Sequence, residues 1–249
     1  MLSEERHQRI VNFVTERQSS TIQQLMEELG ASESTVRRDL AELDSAGLLV
    51  KVYGGAVAKN LIFDSKDASV ESRKVVNHDA KVCIARYAAS LIQDNDFVYL
   101  DAGTTTELMI DFLPKHKVVF VTNGFSHAKK LSEAGFLTYI LGGEIKLDTE
   151  SIVGEEALAS LSKYHFTKGF WGTNGINVNS GFSTPDVKEA LVKQTSMDHT
   201  QKKYVVSDSS KFSKVSCVTF AAFSDATIIT ANLENSAYRQ YKNIIEVEQ

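Results

Sequence analysis

From residue 97 onward, short apolar runs alternate with helical stretches, and this alternation limits the possible fold more than any other feature of the sequence. The runs are FVYL (97–100), VVFV (118–121), LTYIL (137–141), KGFWG (168–172), KYVVS (203–207), CVTF (217–220) and TIIT (227–230). One helical stretch, 79–92, precedes the first run, and others lie between the earlier runs at 105–113, 125–134 and 155–161. Near-continuous apolar strands separated by helices are typical of a mostly parallel sheet that is covered on both faces. We therefore predict an α/β domain.

The first sixty residues follow a helical pattern instead. Their apolar side chains recur at three- and four-residue spacing in three groups, which are Ile10, Phe13 and Val14; Ile22, Leu25, Met26 and Leu29; and Val36, Leu40 and Leu43. Thr21 and Ser32 suit the starts of the second and third helices, and Gly30 suits the end of the second. Residues 48–58 then resemble a hairpin about Gly54 and its neighbour. This order predicts a winged helix-turn-helix, with a generic three-helix bundle as the alternative.

The outer face of the third helix distinguishes these two alternatives. Ser34, Thr35, Arg37 and Arg38 lie off the apolar stripe, near the end of the helix that would enter a major groove. Arginine can bind a guanine edge through two hydrogen bonds, worth about 1–3 kcal/mol of discrimination, and hydroxyl groups can hold phosphates or base edges. We therefore expect a DNA-reading surface here.

The charge of this segment limits how strongly one copy can bind DNA. Residues 1–60 carry seven Arg and Lys against nine Asp and Glu, a net charge of −2. Few phosphate partners mean weak non-specific affinity, because that affinity comes from cations that displace counterions. We therefore expect a homo-oligomer, a dimer or a tetramer, that places a second copy on a neighbouring half-site of double-stranded operator DNA.

The stretch STVRRDLAELDSAGLLVKVYGGA (34–56) resembles the DeoR family of bacterial transcriptional regulators, whose motif is close to T-[IV]-R-R-D-L with a wing that ends in G-G-A. Lys51 and Tyr53 depart from the Arg and His that are common in this family's wing. The helix face and the resemblance together predict DNA contacts from Ser32, Ser34, Thr35, Arg37, Arg38, Lys51, Tyr53 and Gly54.

Composition excludes several classes of protein. No apolar run approaches the roughly 18 residues that cross a bilayer, and the charged start MLSEERHQRI lacks the layout of a signal peptide. We expect a cytoplasmic protein with no membrane partner. Cys83 and Cys217 form no metal-binding spacing, and the six histidines are scattered, so we expect no metal and no cofactor. The net charge of −5 argues against a protein that wraps nucleic acid over its whole surface.

The segment FVYLDAGTTTEL (97–108) is a candidate anion site. In a parallel sheet, ligands bind beyond the carboxyl ends of the strands. Gly103 lets the backbone approach a ligand, the hydroxyls of Thr104, Thr105 and Thr106 can hydrogen bond, and the start of a helix directs free N–H groups at an anion. A capped turn with surface threonines explains the same residues, because threonine is a common helix cap.

Other predicted strand ends carry similar chemistry. They are TNG (122–124), LGGEIK (141–146), GTNGIN (172–177) and SDSSKF (207–212). Lys211 can supply a point charge to a phosphate, although a single lysine is usually a solvated surface residue. STPDVKEALVKQ (183–194) suits the start of a helix, with Ser183 or Thr184 near the cap.

The resemblance to the DeoR family continues through DAGTT, TN, GG, GFSTPD…EA and DSSKF, and so covers nearly the full chain. It implies a C-terminal domain that binds a phosphorylated sugar and is similar in fold to ribose-5-phosphate isomerase. Carried over to this sequence residue by residue, the resemblance implies that the phosphate is bound by Gly103, Thr104, Thr105, Thr106 and Lys211. The other residues implied to contact the effector are Asp101, Asn123, Gly143, Asn174, Asp186 and Glu189.

Whether this domain is an enzyme or a sensor depends on its acid and base groups. An aldose–ketose isomerase needs a carboxylate base, and Glu189 can serve as one. The isomerases carry a loop close to G-A-D-E-[VI]-D, where this chain has Gly172 through Asn177 with Asn174 and Asn177 in place of both aspartates. An amide hydrogen bonds but does not exchange protons, so we expect no catalytic residues. An active sugar-phosphate isomerase or deaminase with an added regulatory module remains the alternative, and a constitutive DNA-binding protein that only oligomerises is a third.

We predict a winged helix-turn-helix at residues 1–58, a linker at 59–76, and an effector-binding and oligomerisation domain at 77–249. The combination GTNGIN…GFSTPD is similar to the fructose-operon repressors of Gram-positive bacteria within the family. This resemblance implies fructose 1-phosphate as the effector, with tagatose 6-phosphate, from the related lactose-operon repressors, as the alternative.

Overall fold

The computed structural model describes residues 3–17, 19–52, 54–58, 70–115 and 117–248. Contacts divide the chain into two units, Met1–Phe63 and Asp64–Gln249. Most of the predicted linker, residues 59–69, lies outside the described residues, and residues 70–75 form a helix within the second unit. The exact domain boundaries given above stay a prediction.

The first unit contains three helices and a three-stranded antiparallel sheet of order β1-β3-β2. Its elements are α1 (Ser3–Arg17), β1 (Ser19–Thr21), α2 (Ile22–Leu29), α3 (Glu33–Ser45), β2 (Leu49–Val52) and β3 (Gly55–Ala58). The predicted caps are confirmed, because the Thr21 hydroxyl accepts from the Gln24 N–H at 3.2 Å and the Ser32 hydroxyl accepts from the Thr35 N–H at 3.4 Å. The three apolar stripes meet in one core that includes Ile10, Leu25 and Leu40. This is a winged helix-turn-helix with one strand, β1, that the sequence pattern did not predict.

The second unit begins with helices and continues as alternating strands and helices. Its helices are α4 (Val70–Val75), α5 (His78–Ser90), α6 (Thr104–Met109), α7 (Phe125–Glu133), α8 (Glu155–Leu161) and α9 (Val187–Asp198). Its strands are β4 (Phe97–Leu100), β5 (Val119–Thr122), β6 (Leu137–Ile140), β7 (Glu144–Lys146), β8 (Ser151–Val153), β9 (Phe166–Trp171), β10 (Gly175–Asn177), β11 (Gly181–Thr184), β12 (Thr200–Val206), β13 (Val218–Ala221), β14 (Thr227–Ala231) and β15 (Ile244–Val247).

Seven of these strands form one parallel sheet of order β15-β14-β12-β9-β4-β5-β6. One buried cluster, which includes Tyr99, Trp171 and Ile228, and a second, which includes Val98, Phe170 and Ile229, contain adjacent residues of the same strands. Adjacent residues of a strand point to opposite faces, so both faces of this sheet are covered. The predicted α/β class is confirmed.

Two small sheets complete the unit. β7 and β8 form an antiparallel pair, and β10, β11 and β13 form an antiparallel sheet. The run at 217–220 was therefore assigned to the wrong sheet. β13 has only one buried residue, Phe220, so its burial pattern is that of an edge strand rather than of a central parallel strand. Among the described residues, no helix is both long enough and apolar enough to span a membrane.

The sheet order positions the functional site. β12, β9 and β4 are neighbours at the middle of the sheet and run parallel. Their carboxyl ends therefore lie at one edge, which brings together the loops that follow residues 100, 171 and 206. Loops at this edge are where α/β sheets bind ligands.

Candidate functional site

The predicted DNA-reading side chains lie on the solvent face of α3. Val36, Leu40 and Leu43 are buried beneath it. The side chains of Arg37 and Arg38 are 54% and 68% exposed, and each lies near a glutamate of the same helix. Arg37 contacts Glu33 at 2.7 Å, while Arg38 is 4.0 Å from Glu42. Surface ion pairs of this kind are weak, so both guanidinium groups can exchange these partners for DNA.

The remaining predicted DNA contacts surround the start of α3 and the wing. Ser32 Oγ lies 3.1 Å from Ser34 Oγ and 2.9 Å from Thr35 Oγ1, so the three hydroxyls form one cluster at the N-terminal end of the helix. Lys51 and Gly54 are exposed on the hairpin. The Lys51 N–H donates to Asp44 Oδ1 at 3.1 Å, which ties the wing to α3. Tyr53 lies outside the described residues.

A buried carboxylate, which the sequence pattern did not reveal, holds α3 against α1. Asp39 is 1% exposed and accepts from Arg6 Nε at 2.5 Å and from Arg6 Nη2 at 2.9 Å. His7 Nε2 lies 3.2 Å from the same carboxylate. The hydrogen bond from Arg6 lowers the pKa of Asp39, against the opposing effect of its burial, and His7 lowers it further. Asp39 therefore sets the position of the helix and is not available to DNA.

A pocket of about 180 Å³ lies at the carboxyl edge of the parallel sheet. Seven of the predicted effector residues line it, namely Gly103, Thr104, Thr105, Thr106, Asn174, Glu189 and Lys211. Ser72, Arg73 and Val76 close one side from α4 and the residue after it. The loops after β4, β9 and β12 thus meet at one cavity, together with the start of the second unit.

Cations surround the threonine loop on one side of this pocket. Lys81 is only 5% exposed, and its ammonium donates to the backbone carbonyl of Arg73. Burial lowers the pKa of Lys81, and the neighbouring charges of Lys211 and Arg73 lower it further, whereas Asp208 raises it. Arg73 Nε is buried, with no hydrogen-bond partner among the described residues. An excess of buried positive charge is costly unless an anion joins it.

Glu189 and Asn174 provide the polar side of the pocket. Glu189 Oε1 accepts from Thr149 Oγ1 at 2.6 Å, from Lys146 Nζ at 3.1 Å and from Ser151 Oγ at 3.2 Å. Asn174 Oδ1 accepts from Thr184 Oγ1 at 3.2 Å. The carboxylate is therefore fixed in place by the β7–β8 segment, and both side chains can meet hydroxyl groups of a ligand.

Asp101 lies beneath the pocket and not in its described lining. The carboxylate is 1% exposed, forms an ion pair with Lys193 of α9, and accepts from the Gly172 N–H at 3.1 Å. Lys193 Nζ also donates to the Gly172 carbonyl at 3.1 Å. Burial raises the pKa of the Asp101 carboxyl, while Lys193 opposes this rise. The pair connects the loops after β4 and β9 to α9, and Lys193 itself lines the pocket.

Three further predicted residues support the pocket from outside its described lining. Asn123 Oδ1 accepts from the Ala102 N–H at 2.9 Å and so holds the threonine loop. Gly143 has a φ of 138°, and a Cβ there would lie 2.5 Å from the Val153 carbonyl, so the β7–β8 segment packs tightly against it. Asp186 is the N-cap of α9, because it accepts from the Glu189 N–H at 2.9 Å.

Ser183 and Thr184 were predicted near the cap of α9, and the cap itself is Asp186. Both residues lie in β11, and the helix starts two residues later than the sequence pattern indicated. Ser183 is instead used within the sheet, where its hydroxyl accepts from the Ser216 N–H at 2.8 Å. Asn177 is also structural, since its Oδ1 accepts from the N–H groups of Asn179 and Ser180 at 2.9 and 3.0 Å.

Several residues of the pocket were missed by sequence reasoning. They are Ser72, Arg73, Lys81, Thr149 and Lys193. Lys193 could have been found from the sequence, because it follows Glu189 by four residues and therefore lies on the same face of the helix. No sequence pattern places Lys81 or Arg73 in the pocket, since a lysine or an arginine in a helical segment is most often a solvated surface residue.

Two family models match the chain. The model described as DeoR-like helix-turn-helix domain matches residues 6–60, and the model described as DeoR C terminal sensor domain matches residues 76–232. Together they span both units of the structure.

Curated relatives match over nearly the whole length. The chain is 43% identical over 250 residues to a protein of Bacillus subtilis named "Uncharacterized HTH-type transcriptional regulator FruR", covering 99% of both chains. It is 34% identical over 251 residues to the lactose phosphotransferase system repressor of Staphylococcus aureus, again covering 99% of both. Among solved structures, ribose 5-phosphate isomerase A of Methanocaldococcus jannaschii shares 16% identity over 55% of each chain, with a TM-score of 0.42.

Proposed function

Because the chain belongs to the DeoR family of transcriptional regulators, we propose that it represses a sugar-utilisation operon in the cytoplasm and that a phosphorylated sugar controls this repression. As a member of this family the chain is a regulator and not an enzyme. The face of α3 reads double-stranded operator DNA, and the pocket of the second unit binds the effector.

The observation that carries the effector proposal is the group of cations beside the threonine loop. Lys81, Lys211 and Arg73 approach one another in a pocket that also presents the hydroxyls and N–H groups of the loop. A phosphate dianion offers three acceptor oxygens and neutralises such a cluster. Across the pocket, Glu189 and Asn174 suit hydroxyl groups, so a sugar phosphate satisfies both sides.

Fructose 1-phosphate is the effector we favour, with tagatose 6-phosphate as the second candidate. The combination GTNGIN…GFSTPD supports the first. The similarity to relatives named lactose phosphotransferase system repressor supports the second. The buried pair of Asp101 and Lys193 leaves Lys193 largely neutralised, so specificity rests on Glu189 and Asn174.

The mechanism we propose couples the pocket to the spacing of two DNA-binding units in a homo-oligomer. Binding of the effector favours one relative arrangement of the subunits, and residues 59–76 transmit the change. A differential affinity on the order of 1–3 kcal/mol between the two arrangements alters operator occupancy several-fold or more.

The test uses the purified chain and its own promoter DNA. Fructose 1-phosphate, tagatose 6-phosphate, glucosamine 6-phosphate and inorganic phosphate are each added to the complex, and the mobility of the DNA and the melting temperature of the protein are measured. We expect fructose 1-phosphate to change both at the lowest concentration. No response to any phosphorylated sugar would indicate that the second unit only oligomerises.

The same ligands test the enzymatic alternative. The chain has Asn174 and Asn177 where the isomerases carry aspartates, and Asn177 is fully engaged in a turn. We therefore expect no turnover of ribose 5-phosphate or glucosamine 6-phosphate. Conversion of either sugar phosphate by the pure protein would contradict the proposal.

A further inference from the structure

We propose that His127, on α7 behind the pocket, is the positioning residue for the anion-binding loop at Gly103–Thr106. This inference rests on the proposed function, since it assigns a role in holding the effector's phosphate. His127 does not line the described pocket; it acts through the loop that does.

The imidazole fastens the loop to α7, in addition to the contact that Asn123 makes with the Ala102 N–H. His127 is 4% exposed, and its Nε2 lies 3.1 Å from the Gly103 carbonyl oxygen and 3.1 Å from Thr106 Oγ1. Thr106 Oγ1 in turn donates within the loop, with the Asp101 carbonyl oxygen at 2.6 Å and the Gly103 carbonyl oxygen at 2.8 Å. One nitrogen thus contacts both ends of the turn that begins α6.

These contacts determine which way the loop presents its donors. The Gly103 carbonyl also accepts from the Glu107 N–H at 2.9 Å, so it points inward, toward α6 and His127. A trans peptide places its carbonyl and its N–H on opposite sides. The N–H of Thr104 therefore points away from His127, toward the pocket that Thr104 lines. Without His127, the carbonyl would keep among the described residues only its contacts to Thr106 and Glu107, both within the loop and α6, so we expect the Thr104 N–H to be held less firmly toward an anion.

Gly124 leaves the space that the imidazole occupies. A Cβ built at residue 124 would lie 2.5 Å from His127 Nδ1 and 2.8 Å from its Cγ. The φ of Gly124 is −91°, which every residue adopts without strain. The lack of a side chain is therefore required by the position of the His127 ring and not by the backbone. This gives a second, independent way to displace the ring.

The surroundings keep the imidazole neutral, with one proton to donate. Lys130 on α7 and Lys74 on α4 face it, as do Glu150 before β8 and Glu107 on α6. Burial lowers the pKa of His127 to about 4, and the two lysines contribute to this lowering. The shorter of the two contacts to Gly103 is the one to the carbonyl oxygen, at 3.1 Å against 3.4 Å to the N–H. We therefore assign the proton to Nε2, the tautomer that can donate to the Gly103 carbonyl.

The test compares effector affinity in four variants of the full-length protein by titration calorimetry with fructose 1-phosphate. The variants are His127→Ala, His127→Gln, Gly124→Ala and the double variant Gly124→Ala/His127→Ala. We expect His127→Ala to weaken binding at least tenfold and His127→Gln to stay within about threefold of the wild type, because the glutamine amide can donate to the Gly103 carbonyl. Operator binding without the effector is expected to be unchanged in all four.

Gly124→Ala separates positioning from a general loss of stability. Its methyl group is expected to displace the ring and weaken effector binding several-fold in the wild type, yet to have no further effect once His127 is alanine, since neighbours that act through one contact are not additive. Lys129→Ala is the matched control, because Lys129 is an exposed residue of the same helix with its ammonium 3.9 Å from Glu133. If the His127→Ala variant does not fold, the effector affinities of His127→Gln and Gly124→Ala are compared with that of the wild type instead.

Two different failures can be told apart. If the wild type binds fructose 1-phosphate or tagatose 6-phosphate and His127→Ala binds it equally well, the positioning role is overturned while the proposed function stands. If Gly124→Ala weakened effector binding by the same factor in the wild type and in His127→Ala, the positioning role would also be overturned. If the wild type binds no phosphorylated sugar at all, the proposed function fails and this inference fails with it.

Discussion

Lys81 is a buried cation with two other cations nearby, an arrangement that is costly by itself but suits the binding of an anion. Its ammonium is buried, and the charges of Arg73, Lys211 and the Asp208 carboxylate lie close enough to affect its pKa. Asp208 is itself occupied by the Asn77 amide at 2.9 Å. Under the proposed function, the phosphate of the effector would offset the cost of placing these cations together.

This leads to a prediction for Lys81→Met, which keeps the length of the side chain and removes its charge. We expect effector affinity to fall at least tenfold, and the free energy of unfolding without effector to stay the same or to rise by up to about 1 kcal/mol, because a buried cation is costly. Titration calorimetry and urea unfolding check the two parts. A variant that loses stability and keeps its affinity would contradict the assignment.

Replacing Arg38 should affect the binding of DNA and not the binding of the effector. Arg38→Ala is expected to weaken operator binding by about 1–3 kcal/mol, roughly fivefold to 150-fold, while leaving effector binding intact. Arg9→Ala removes the same charge from α1, where Arg9 contacts Glu28 at 3.1 Å, and serves as the matched control. Fluorescence anisotropy with operator DNA measures both, and undiminished sequence-specific binding by Arg38→Ala would remove α3 as the recognition helix.

His127 also predicts a pH dependence of stability. Its pKa is about 4 in the folded protein and about 6.5 when unfolded. The unfolded chain therefore binds the proton more readily, and the stabilisation present above pH 6.5 is lost as the pH falls toward 4. We expect about 2 kcal/mol of this loss between pH 7 and pH 5. Urea unfolding followed by the fluorescence of the single, buried Trp171 reports on the second unit. The His127→Gln variant should lack this loss of stability between pH 7 and pH 5.

Among the elements, the contact between α1 and α3 determines where α3, the proposed recognition helix, lies. Asp39→Asn keeps the shape of the side chain but leaves the Arg6 guanidinium without its buried carboxylate. We expect the first unit to lose roughly 2–4 kcal/mol of stability, since breaking a buried pair is costly. Calorimetry of the full chain measures the loss. Glu33→Gln, which removes an exposed carboxylate from the same helix, should change stability by less than about 0.5 kcal/mol.

Elements with strong periodicity were predictable from the sequence, and those shaped by packing were not. The stripes of Val36 and Leu40 and the run at 97–100 match observed elements, because each carries a clear apolar period. β10 and β11 are buried throughout yet contain Gly175, Asn177 and Gly181, residues with little strand propensity. Tertiary packing makes them strands.

The pocket was predictable to the extent that its residues follow parallel strands. Gly103, Thr104 and Lys211 were found because the carboxyl ends of neighbouring strands meet. Arg73 and Lys81 come from helices that the sheet rule does not place. Nothing in the sequence distinguishes His127 from the other scattered histidines, and its contact to Gly103 depends on how α7 packs beside the loop after β4, which one sequence does not reveal.

For the protein as a whole, we expect that DNA binding needs more than one copy of the chain. Residues 1–60 have a net charge of −2, so a single winged helix has little general attraction for a polyanion. We expect light scattering to give at least a dimer. We also expect DNA with one half-site to bind at least a hundredfold more weakly than DNA with two. A monomer that binds a single half-site as tightly as the full operator would contradict this.

The helix α4 has a practical consequence for reusing the sensing unit in biosensor design. Ser72, Arg73 and Val76 form one wall of the pocket, and Lys74 contacts Glu107 of α6 at 3.0 Å. All four residues precede the boundary at 77 that the sequence suggested. A chimaera that joins this unit to a foreign DNA-binding module at residue 77 would therefore inherit a pocket with one wall missing. A junction placed before Val70 would carry the complete receptor into its new host.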